Sequence, residues 1–238
     1  MPGFTLLPYG DLDVVKRAMN PNVVGVLIEP IQGESGIIIP PDGYLAGIAA
    51  LCREYRSLLI TDEIQSGLGR TGKMFAFEHE DVRPDIVIIG KALAGGFYPV
   101  SAILADDEVM GVFAPGDHGS TFGGNPLGCA VAYEALRVLM DEKLIDNSAK
   151  LGAYFSERLA TLKSSKIQEI RGRGLWIGVQ LTPEAGGARK YCEALQTRGL
   201  LCKETHVDTI RFAPPLCITK DEIDWALERV VQVFAELD

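Results

Sequence analysis

The stretch Asp85-Ile-Val-Ile-Ile-Gly-Lys-Ala-Leu-Ala-Gly-Gly-Phe-Tyr-Pro99 contains a short run of β-branched residues, then Lys91, then a pair of glycines. Upstream, Leu58-Leu-Ile-Thr-Asp-Glu-Ile-Gln65 has a second apolar run, which ends at Asp62. Runs that are apolar throughout, without alternation, are typical of strands covered on both faces, as in a parallel α/β sheet. The two stretches therefore predict strands that present a lysine at one end and an aspartate at another.

This combination of side chains is what pyridoxal phosphate (PLP) chemistry needs. A lysine amine can hold the cofactor aldehyde as a Schiff base, and a carboxylate can keep the pyridine nitrogen protonated so that the ring accepts electrons. A lone lysine after an apolar strand is more often a solvated surface residue. Lys91 together with Asp62 favours the cofactor site instead.

Two further apolar runs, at residues 23–28 and 101–105, predict a sheet of at least four strands. Residues 44–56 have helical periodicity and supply a crossover between the first two strands. The connection before residue 101 is too short for a long helix. The sheet is therefore expected to be mainly parallel, and mixed at its Ser101 end.

The C-terminal part of the chain predicts a smaller α+β domain. A helix is expected from Pro126, with Asn125 as its N-cap, to about residue 141. The further predictions are helices at residues 148–162 and 188–197, strands at 167–170, 176–181, 200–203 and 209–212, and a last helix that begins with the capping box Thr219-Lys-Asp-Glu222. We place the domain division between residues 1–133 and residues 134–238.

Composition narrows the class of protein. The chain has 238 residues and a formal net charge of -9, which argues against nucleic acid or an anionic membrane surface as a partner. Its five cysteines are far apart, which fits reduced thiols in a cytoplasmic compartment, and its three histidines are too scattered to suggest a metal site. No apolar run is long enough for a membrane span, so a cytoplasmic protein is expected.

One motif points elsewhere. Gly67-Leu-Gly-Arg-Thr-Gly72 satisfies G-x-G-x-x-G, which in dinucleotide-binding folds follows a strand immediately and opens a helix. Here residues 63–66 intervene and the following residues begin a helix poorly. We therefore disfavour a nicotinamide site.

Taken together, the motifs resemble those of class III (ornithine-type) aminotransferases, which have the PLP-dependent transferase fold type I. The matching segments are Glu29-Pro-Ile-Gln-Gly-Glu34, Asp62-Glu-Ile-Gln-Ser-Gly-Leu-Gly-Arg-Thr-Gly72, Gly90-Lys-Ala-Leu-Ala-Gly-Gly96, His118-Gly-Ser-Thr-Phe-Gly-Gly-Asn-Pro126 and Ile210-Arg-Phe-Ala-Pro-Pro-Leu216. Five segments in the family's order are more specific than any one of them. The resemblance implies a partial large domain with a mainly parallel sheet, followed by the small C-terminal domain.

The resemblance also implies roles for individual residues around PLP. Lys91 would hold the cofactor and move the proton between the substrate and the cofactor, and Asp62 would pair with the pyridinium nitrogen. Gln65 would hydrogen-bond the phenolic oxygen of the ring. Ser120 and Thr121 would reach the cofactor phosphate of a neighbouring subunit, which implies a homodimer. From the sequence alone, these two hydroxyls are better explained as loop or capping groups.

Glu34 and Arg211 form a second pair that the family assigns. In ornithine aminotransferases the matching arginine binds the α-carboxylate of 2-oxoglutarate or glutamate, and the matching glutamate masks it while ornithine is bound. An arginine suits this task because its planar guanidinium can bind a carboxylate through two hydrogen bonds. A purely structural salt bridge is the alternative.

The implied reaction is a ping-pong transfer of the δ-amine of ornithine to 2-oxoglutarate, giving glutamate semialdehyde and glutamate. The segment Gly199-Leu-Leu-Cys-Lys-Glu-Thr-His206 is more similar to ornithine than to acetylornithine aminotransferases. An acetylornithine or other ω-amino acid aminotransferase stays open as an alternative, and glutamate-semialdehyde aminomutase is a weaker one.

The resemblance covers only a little more than the C-terminal half of the family. The family's phosphate-binding glycine/serine loop, its ring-stacking aromatic residue and its N-terminal substrate residues have no match here. Three hypotheses follow: a truncated ornithine aminotransferase, one half of a split enzyme that pairs with an N-terminal partner, or a non-catalytic fragment that associates with other chains.

Overall fold

The computed structural model describes residues 2–237, which form two compact units. The N-terminal unit comprises Met1–Pro30, Pro40–Gln65 and Ala76–Ala135, and the C-terminal unit comprises Ile31–Ile39, Ser66–Phe75 and Leu136–Asp238. Met1 and Asp238 lie outside the described residues. The division into independently folding domains at residues 1–133 and 134–238 stays a prediction.

The N-terminal unit is built on a four-stranded sheet. Its strands are β1 (Gly25–Ile28), β2 (Leu58–Asp62), β3 (Ile86–Ile89) and β4 (Ala102–Ala105), in the order β1-β2-β3-β4. The first three strands are parallel, and β4 is antiparallel to β3. The predicted sheet, mainly parallel and mixed at its Ser101 end, is confirmed.

The helices of this unit are α1 (Leu12–Ala18), α2 (Tyr44–Tyr55), α3 (Asp107–Met110) and α4 (Pro126–Asp141), which continues into the C-terminal unit. The crossover helix between β1 and β2 is α2, as predicted. The Oδ1 of Asn125 accepts a hydrogen bond from the N–H of Gly128 at 2.8 Å, so this residue caps α4 as expected. Helix α1 was not predicted, because seven residues are too few for a clear periodicity.

The C-terminal unit has an all-antiparallel sheet. Its strands are β5 (Ile167–Arg173), β6 (Trp176–Leu181), β7 (Lys203–Thr205) and β8 (Thr209–Phe212), in the order β5-β6-β8-β7. Its helices are α5 (Leu144–Ala160), α6 (Arg189–Gln196) and α7 (Lys220–Leu237). The Thr219 hydroxyl and the Glu222 carboxylate make the predicted capping box at the start of α7.

Three predicted boundaries in this unit are wrong. The strand expected at residues 167–170 extends to Arg173. The strand expected at residues 200–203 begins only at Lys203, because the N–H of Leu200 bonds to Leu195 O at 3.0 Å and ends α6. The helix expected from Ser148 begins at Leu144, because Lys143 adopts a left-handed backbone with φ of 54° immediately before it. Gly199, with φ of 82°, is a sequence signal for the end of α6 that the strand prediction overlooked, whereas the left-handed Lys143 has no such signal.

A seam of glycines brings three backbone segments of the C-terminal unit together. A Cβ on Gly152 in α5 would lie 2.1 Å from the carbonyl carbon of Gly174. A Cβ on Gly174 would lie 2.4 Å from the carbonyl carbon of Thr71. A Cβ on Gly72 would lie 2.9 Å from the Cα of Ala149. Two glycines of the seam are separated by about 100 residues in sequence. The last glycine of the G-x-G-x-x-G motif therefore serves close packing.

Neither a helix able to span a membrane nor a cluster of metal-binding side chains is found in residues 2–237. No helix in this range is long and apolar enough to cross a membrane. No three or more His, Cys, Asp and Glu side chains in it are placed so that they could hold a metal ion. All five cysteines are free thiols, and burial raises the pKa of Cys52 to about 11.

Candidate active site

Asp62 and Lys91 lie at the same edge of the N-terminal sheet. Strand β2 ends at Asp62, which is in register with Ile88 of the neighbouring parallel strand β3. Lys91 follows three residues after Ile88, so both side chains stand at the carboxyl ends of adjacent strands. This is where open parallel sheets bind their ligands. Because the two strands are neighbours and parallel, two predicted residues of the site share one edge.

The backbone of Lys91 is unusual. Its φ is 42°, in the left-handed region that residues with a Cβ rarely adopt, and it opens a short 3-10 helix, Lys91–Ala94. Its side chain is exposed. Strained backbone of this kind costs about 1–3 kcal/mol and concentrates where a side chain must be aimed at a ligand. Among residues 2–237, seven other non-glycine residues also have positive φ, so this conformation supports the choice of Lys91 only together with its place at a strand end.

The residues after β2 are held by the carboxylates of that segment. The N–H of Ile64 donates to the Oδ1 of Asp62 at 3.0 Å, which fixes the orientation of the carboxylate. Glu63 is only 1% exposed, and its Oε1 accepts a hydrogen bond from the N–H of Phe77 at 2.9 Å. Gln65 is half-buried in the turn that follows. Glu63 was missed by the sequence reasoning, although a buried glutamate next to a strand end is expensive unless it has partners.

Ser120 and Thr121 lie on an exposed segment of the N-terminal unit. The Oγ of Ser120 accepts a hydrogen bond from the N–H of Gly123 at 2.9 Å, which is the local loop contact that the sequence alone favours. The same segment exposes large apolar side chains, including 79% of Phe122 and 59% of Phe113. Both hydroxyls are thus open to solvent on an apolar surface of this chain.

Glu34 and Arg211 are brought together in the C-terminal unit. The Nη1 of Arg211 donates to the Oε1 of Glu34 at 2.8 Å. Arg211 lies in β8 with 17% of its side chain exposed, whereas 61% of Glu34 is exposed. The Nζ of Lys203, in β7, lies 3.7 Å from the other carboxylate oxygen of Glu34. A largely buried guanidinium is therefore covered by a carboxylate on a largely exposed side chain.

Arg70 adds positive charge near this pair. Its guanidinium donates to the backbone oxygens of Leu175 at 2.9 Å and Pro214 at 2.7 Å. Burial, together with the positive charge of Arg211, lowers the pKa of Arg70 to about 10. Arg70 still carries its charge at neutral pH. The sequence analysis did not single it out, because it lies inside the glycine-rich motif.

The structure thus assembles two pairs of predicted residues. Lys91 and Asp62 place an amine and a carboxylate at one strand edge of the N-terminal unit. Arg211 and Glu34 place a carboxylate-binding cation and its internal competitor in the C-terminal unit. An amine can bond covalently to an aldehyde, and a guanidinium can bind a carboxylate in two-point fashion. The chemistry suits amino and oxo acids.

The comparisons with known proteins agree with one another. A family model described as aminotransferase class-III matches residues 8–234. Ornithine aminotransferase of Bacillus subtilis (strain 168) is 56% identical over 233 residues, which are 98% of this chain and 57% of that protein. Ornithine aminotransferase 2 of Staphylococcus aureus (strain N315) is 56% identical over 234 residues, 98% of this chain and 58% of that protein. The chain spans a little over half the length of these curated relatives.

Solved structures give the same answer. Ornithine aminotransferase from Toxoplasma gondii, described with partial occupancy of PLP at its active site, matches with a TM-score of 0.97 and 46% identity. That match covers 100% of this chain and 57% of the other. Acetylornithine aminotransferase from Elizabethkingia anophelis matches with a TM-score of 0.95 and 45% identity, over 99% of this chain and 63% of the other.

Proposed function

The chain belongs to the class-III aminotransferase family, and from this premise we propose that it acts in the PLP-dependent transfer of the δ-amine of ornithine to 2-oxoglutarate. The family membership and the α/β fold class implied by the motifs are confirmed. The observation that carries the proposed activity is the position of Lys91 and Asp62 at the ends of adjacent parallel strands.

The residues at this edge fit PLP. The cofactor supplies an aldehyde that accepts an amine and a ring that accepts electrons from the bond being broken. Lys91 offers an exposed primary amine for the aldehyde, and Asp62 offers a carboxylate for the ring nitrogen. Gln65 follows in the same turn and would donate a hydrogen bond to the phenolic oxygen. Glu63 fixes the turn from the buried side through the N–H of Phe77.

Lys91 has a second task in the proposed reaction. Its Nζ would take a proton from the substrate carbon as a general base and give it back as a general acid, while the cofactor would supply the electron-accepting ring. Lys91 combines a left-handed backbone with an exposed side chain. One residue would then both hold the cofactor and move the proton.

Arg211 and Glu34 would let one site accept two unlike substrates. With Glu34 on Arg211, as in this structure, the guanidinium is masked, and a substrate that presents a terminal amine does not meet an unpaired Arg211. With Glu34 displaced, Arg211 can bind the α-carboxylate of 2-oxoglutarate or glutamate. The difference in exposure between the two side chains favours Glu34 as the part that moves.

Ser120 and Thr121 would donate hydrogen bonds to the phosphate of a cofactor held by a second subunit. Their exposure on an apolar surface supports association, in a homodimer or with a separately encoded N-terminal partner. The small-molecule partners would be an amino acid and a 2-oxo acid. The free cysteines support a reducing, cytoplasmic location.

An acetylornithine aminotransferase is the second candidate. It is supported by the solved acetylornithine enzyme, whose TM-score of 0.95 lies within the range of 0.94 to 0.97 of the solved ornithine enzymes. Both reactions use the same residues around PLP and differ in whether the donor carries a free or an acetylated α-amine. A direct comparison of ornithine and acetylornithine as amine donors separates them.

The first test is a PLP titration of the purified chain, followed by absorbance, borohydride reduction and peptide mapping. We expect a saturable absorbance band that maps to Lys91 and disappears in Lys91→Ala. Lys150→Ala, at another exposed lysine, is the matched control and should keep the band. Labelling spread over surface lysines, or equal in the two variants, would contradict the proposal.

A further inference from the structure

Lys203 is a second cation at the Glu34–Arg211 pair. The pairing of β7 with β8 places it directly opposite Arg211. Side chains opposite each other on antiparallel strands lie on the same face, with Cβ atoms about 5 Å apart. The two cations share Glu34: Arg211 contacts one carboxylate oxygen at 2.8 Å, and Lys203 lies 3.7 Å from the other.

This arrangement carries an excess of positive charge. Like charges directly opposite on paired strands destabilise a sheet unless an anion lies between them. Glu34 is that anion for Lys203 and Arg211, and Arg70, whose pKa is lowered in part by the charge of Arg211, is a further positive charge nearby. A second carboxylate can therefore enter without leaving the site with excess negative charge.

The exposures indicate which groups can move. Arg211 is 17% exposed and fixed in a strand, whereas Glu34 and Lys203 are 61% and 62% exposed. When a substrate carboxylate takes Arg211, Glu34 must give up its 2.8 Å hydrogen bond. Without Lys203, the displaced carboxylate and the arriving one would compete for Arg211. With Lys203, each carboxylate has a cation of its own.

We infer that Lys203 is a positioning residue that holds Glu34 after a dicarboxylate substrate has displaced it from Arg211. Its effect is to lower the cost of unmasking Arg211 and so to favour the half-reaction with the dicarboxylic 2-oxo acid. The inference rests on the proposed function, in which Arg211 binds a substrate carboxylate. It adds a cause for the release of Glu34, which the Glu34–Arg211 pair by itself does not provide.

Binding of glutarate, an unreactive dicarboxylate, tests the inference without requiring turnover. We would titrate the ¹⁵N-labelled chain by NMR, comparing wild type, Lys203→Met and Lys203→Arg. Lys203→Met should weaken glutarate binding about fourfold, the upper range for one exposed ion pair. Lys203→Arg keeps the charge and should bind within about twofold of wild type.

A second background shows how Lys203 acts. In Glu34→Gln there is no displaced carboxylate to hold, so adding Lys203→Met should change the glutarate dissociation constant less than about 1.5-fold. An equal loss in both backgrounds would mean that Lys203 binds the ligand itself. That result, a charge-keeping variant as weak as Lys203→Met, or no loss in Lys203→Met would each overturn the inference.

Arg211→Gln separates this failure from failure of the proposed function. Glutarate binding that depends on Arg211 but not on Lys203 would count against the inference alone. Glutarate binding that is the same in wild type and Arg211→Gln would count against the carboxylate role of Arg211, and so would a wild-type chain that does not bind glutarate. The last two results would also overturn the inference, because it depends on that role.

Discussion

The two units of this chain differ in how completely they bury their apolar residues. In the C-terminal unit, residues from the sheet and from all three helices form one core whose members include the fully buried Leu181, Leu195 and Ile223. In the N-terminal unit, a smaller core forms around α2 and β1, while Leu27 in β1 and Ile103 in β4 are each 56% exposed.

The difference shows which unit buries most of its apolar side chains against its own residues. Burying apolar surface is the dominant stabilising contribution, at about 25 cal/mol for each Å². The C-terminal unit has this contribution from its own residues. The outer strands of the N-terminal sheet leave apolar side chains in water, and exposed apolar patches of this kind mark surfaces that bind other protein. The unit that carries Lys91 thus exposes more large apolar side chains than the C-terminal unit, where Leu201 and Val207 are among the exposed ones.

The largest effect on stability is expected from truncating a buried side chain in the core of the C-terminal unit. Leu181→Ala should lower the free energy of unfolding by about 4 kcal/mol, since a fully buried leucine leaves a cavity. Leu104→Ala, in β4 of the other unit at 44% exposure, should cost less than about 1 kcal/mol. Urea unfolding followed by circular dichroism measures both. Both tryptophans lie in the C-terminal unit, so their emission reports that unit alone. Equal losses of unfolding free energy in Leu181→Ala and Leu104→Ala would contradict the difference in burial between the two units.

A pair of helical glycines should give the next largest effect. The Cβ of Gly152→Ala meets the backbone of Gly174 at 2.1 Å, and backbone cannot move aside easily. We expect a loss of about 3 kcal/mol. The Cβ of Gly47→Ala, in α2, meets the end of the Leu12 side chain at 2.4 Å, which can rotate away. Its stability should change by less than about 1 kcal/mol. Thermal unfolding of both variants measures the two stability changes. A loss in Gly152→Ala as small as that in Gly47→Ala would contradict close backbone packing at the glycine seam.

The smallest effect is a pH dependence confined to the N-terminal unit. Burial raises the pKa of Tyr9, whose hydroxyl donates to the backbone oxygens of Glu29 and Pro30. The folded chain therefore keeps this proton above pH 10, where the unfolded chain loses it. The resulting stability is present below about pH 10 and decreases as the pH rises further.

Tyr9→Phe is the variant that isolates this effect. It should lower stability at pH 7 by about 1 kcal/mol through lost hydrogen bonds, and should remove up to about 1 kcal/mol of the decrease between pH 10 and 11. Urea unfolding at both pH values measures the two changes. Tryptophan emission is the internal control: the unfolding of the C-terminal unit that it reports should be the same in wild type and Tyr9→Phe. An equal slope in wild type and variant would contradict the assignment.

The sequence predicted the parts of this fold that rest on local patterns. Continuous apolar runs located the four strands of the first sheet, and Asn125 and Thr219 marked the starts of two helices correctly. The start of α5 was missed because it depends on the left-handed Lys143. That conformation is stabilised by the surrounding structure and has no sequence signature.

Part of the candidate site could likewise be predicted from the sequence and part could not. Lys91 and Asp62 could be found because each ends an apolar run, and Glu34 with Arg211 because family motifs contain them. Glu63 and Lys203 could not be found, since the first depends on burial next to Phe77 and the second on the register of β7 against β8. Contacts made across a fold are not visible in local sequence patterns.

The glycine seam has a consequence for recombining this chain with its relatives. Gly72, Gly152 and Gly174 each approach the backbone of another piece of the seam, so none of these three glycines can accept a side chain unless that backbone shifts. A chimaera that exchanges residues 66–75 must inherit α5 and the β5–β6 turn from the same parent, because an added methyl in any one piece meets the others. Crossover points placed outside these three pieces keep parental contacts intact, and those placed between them do not.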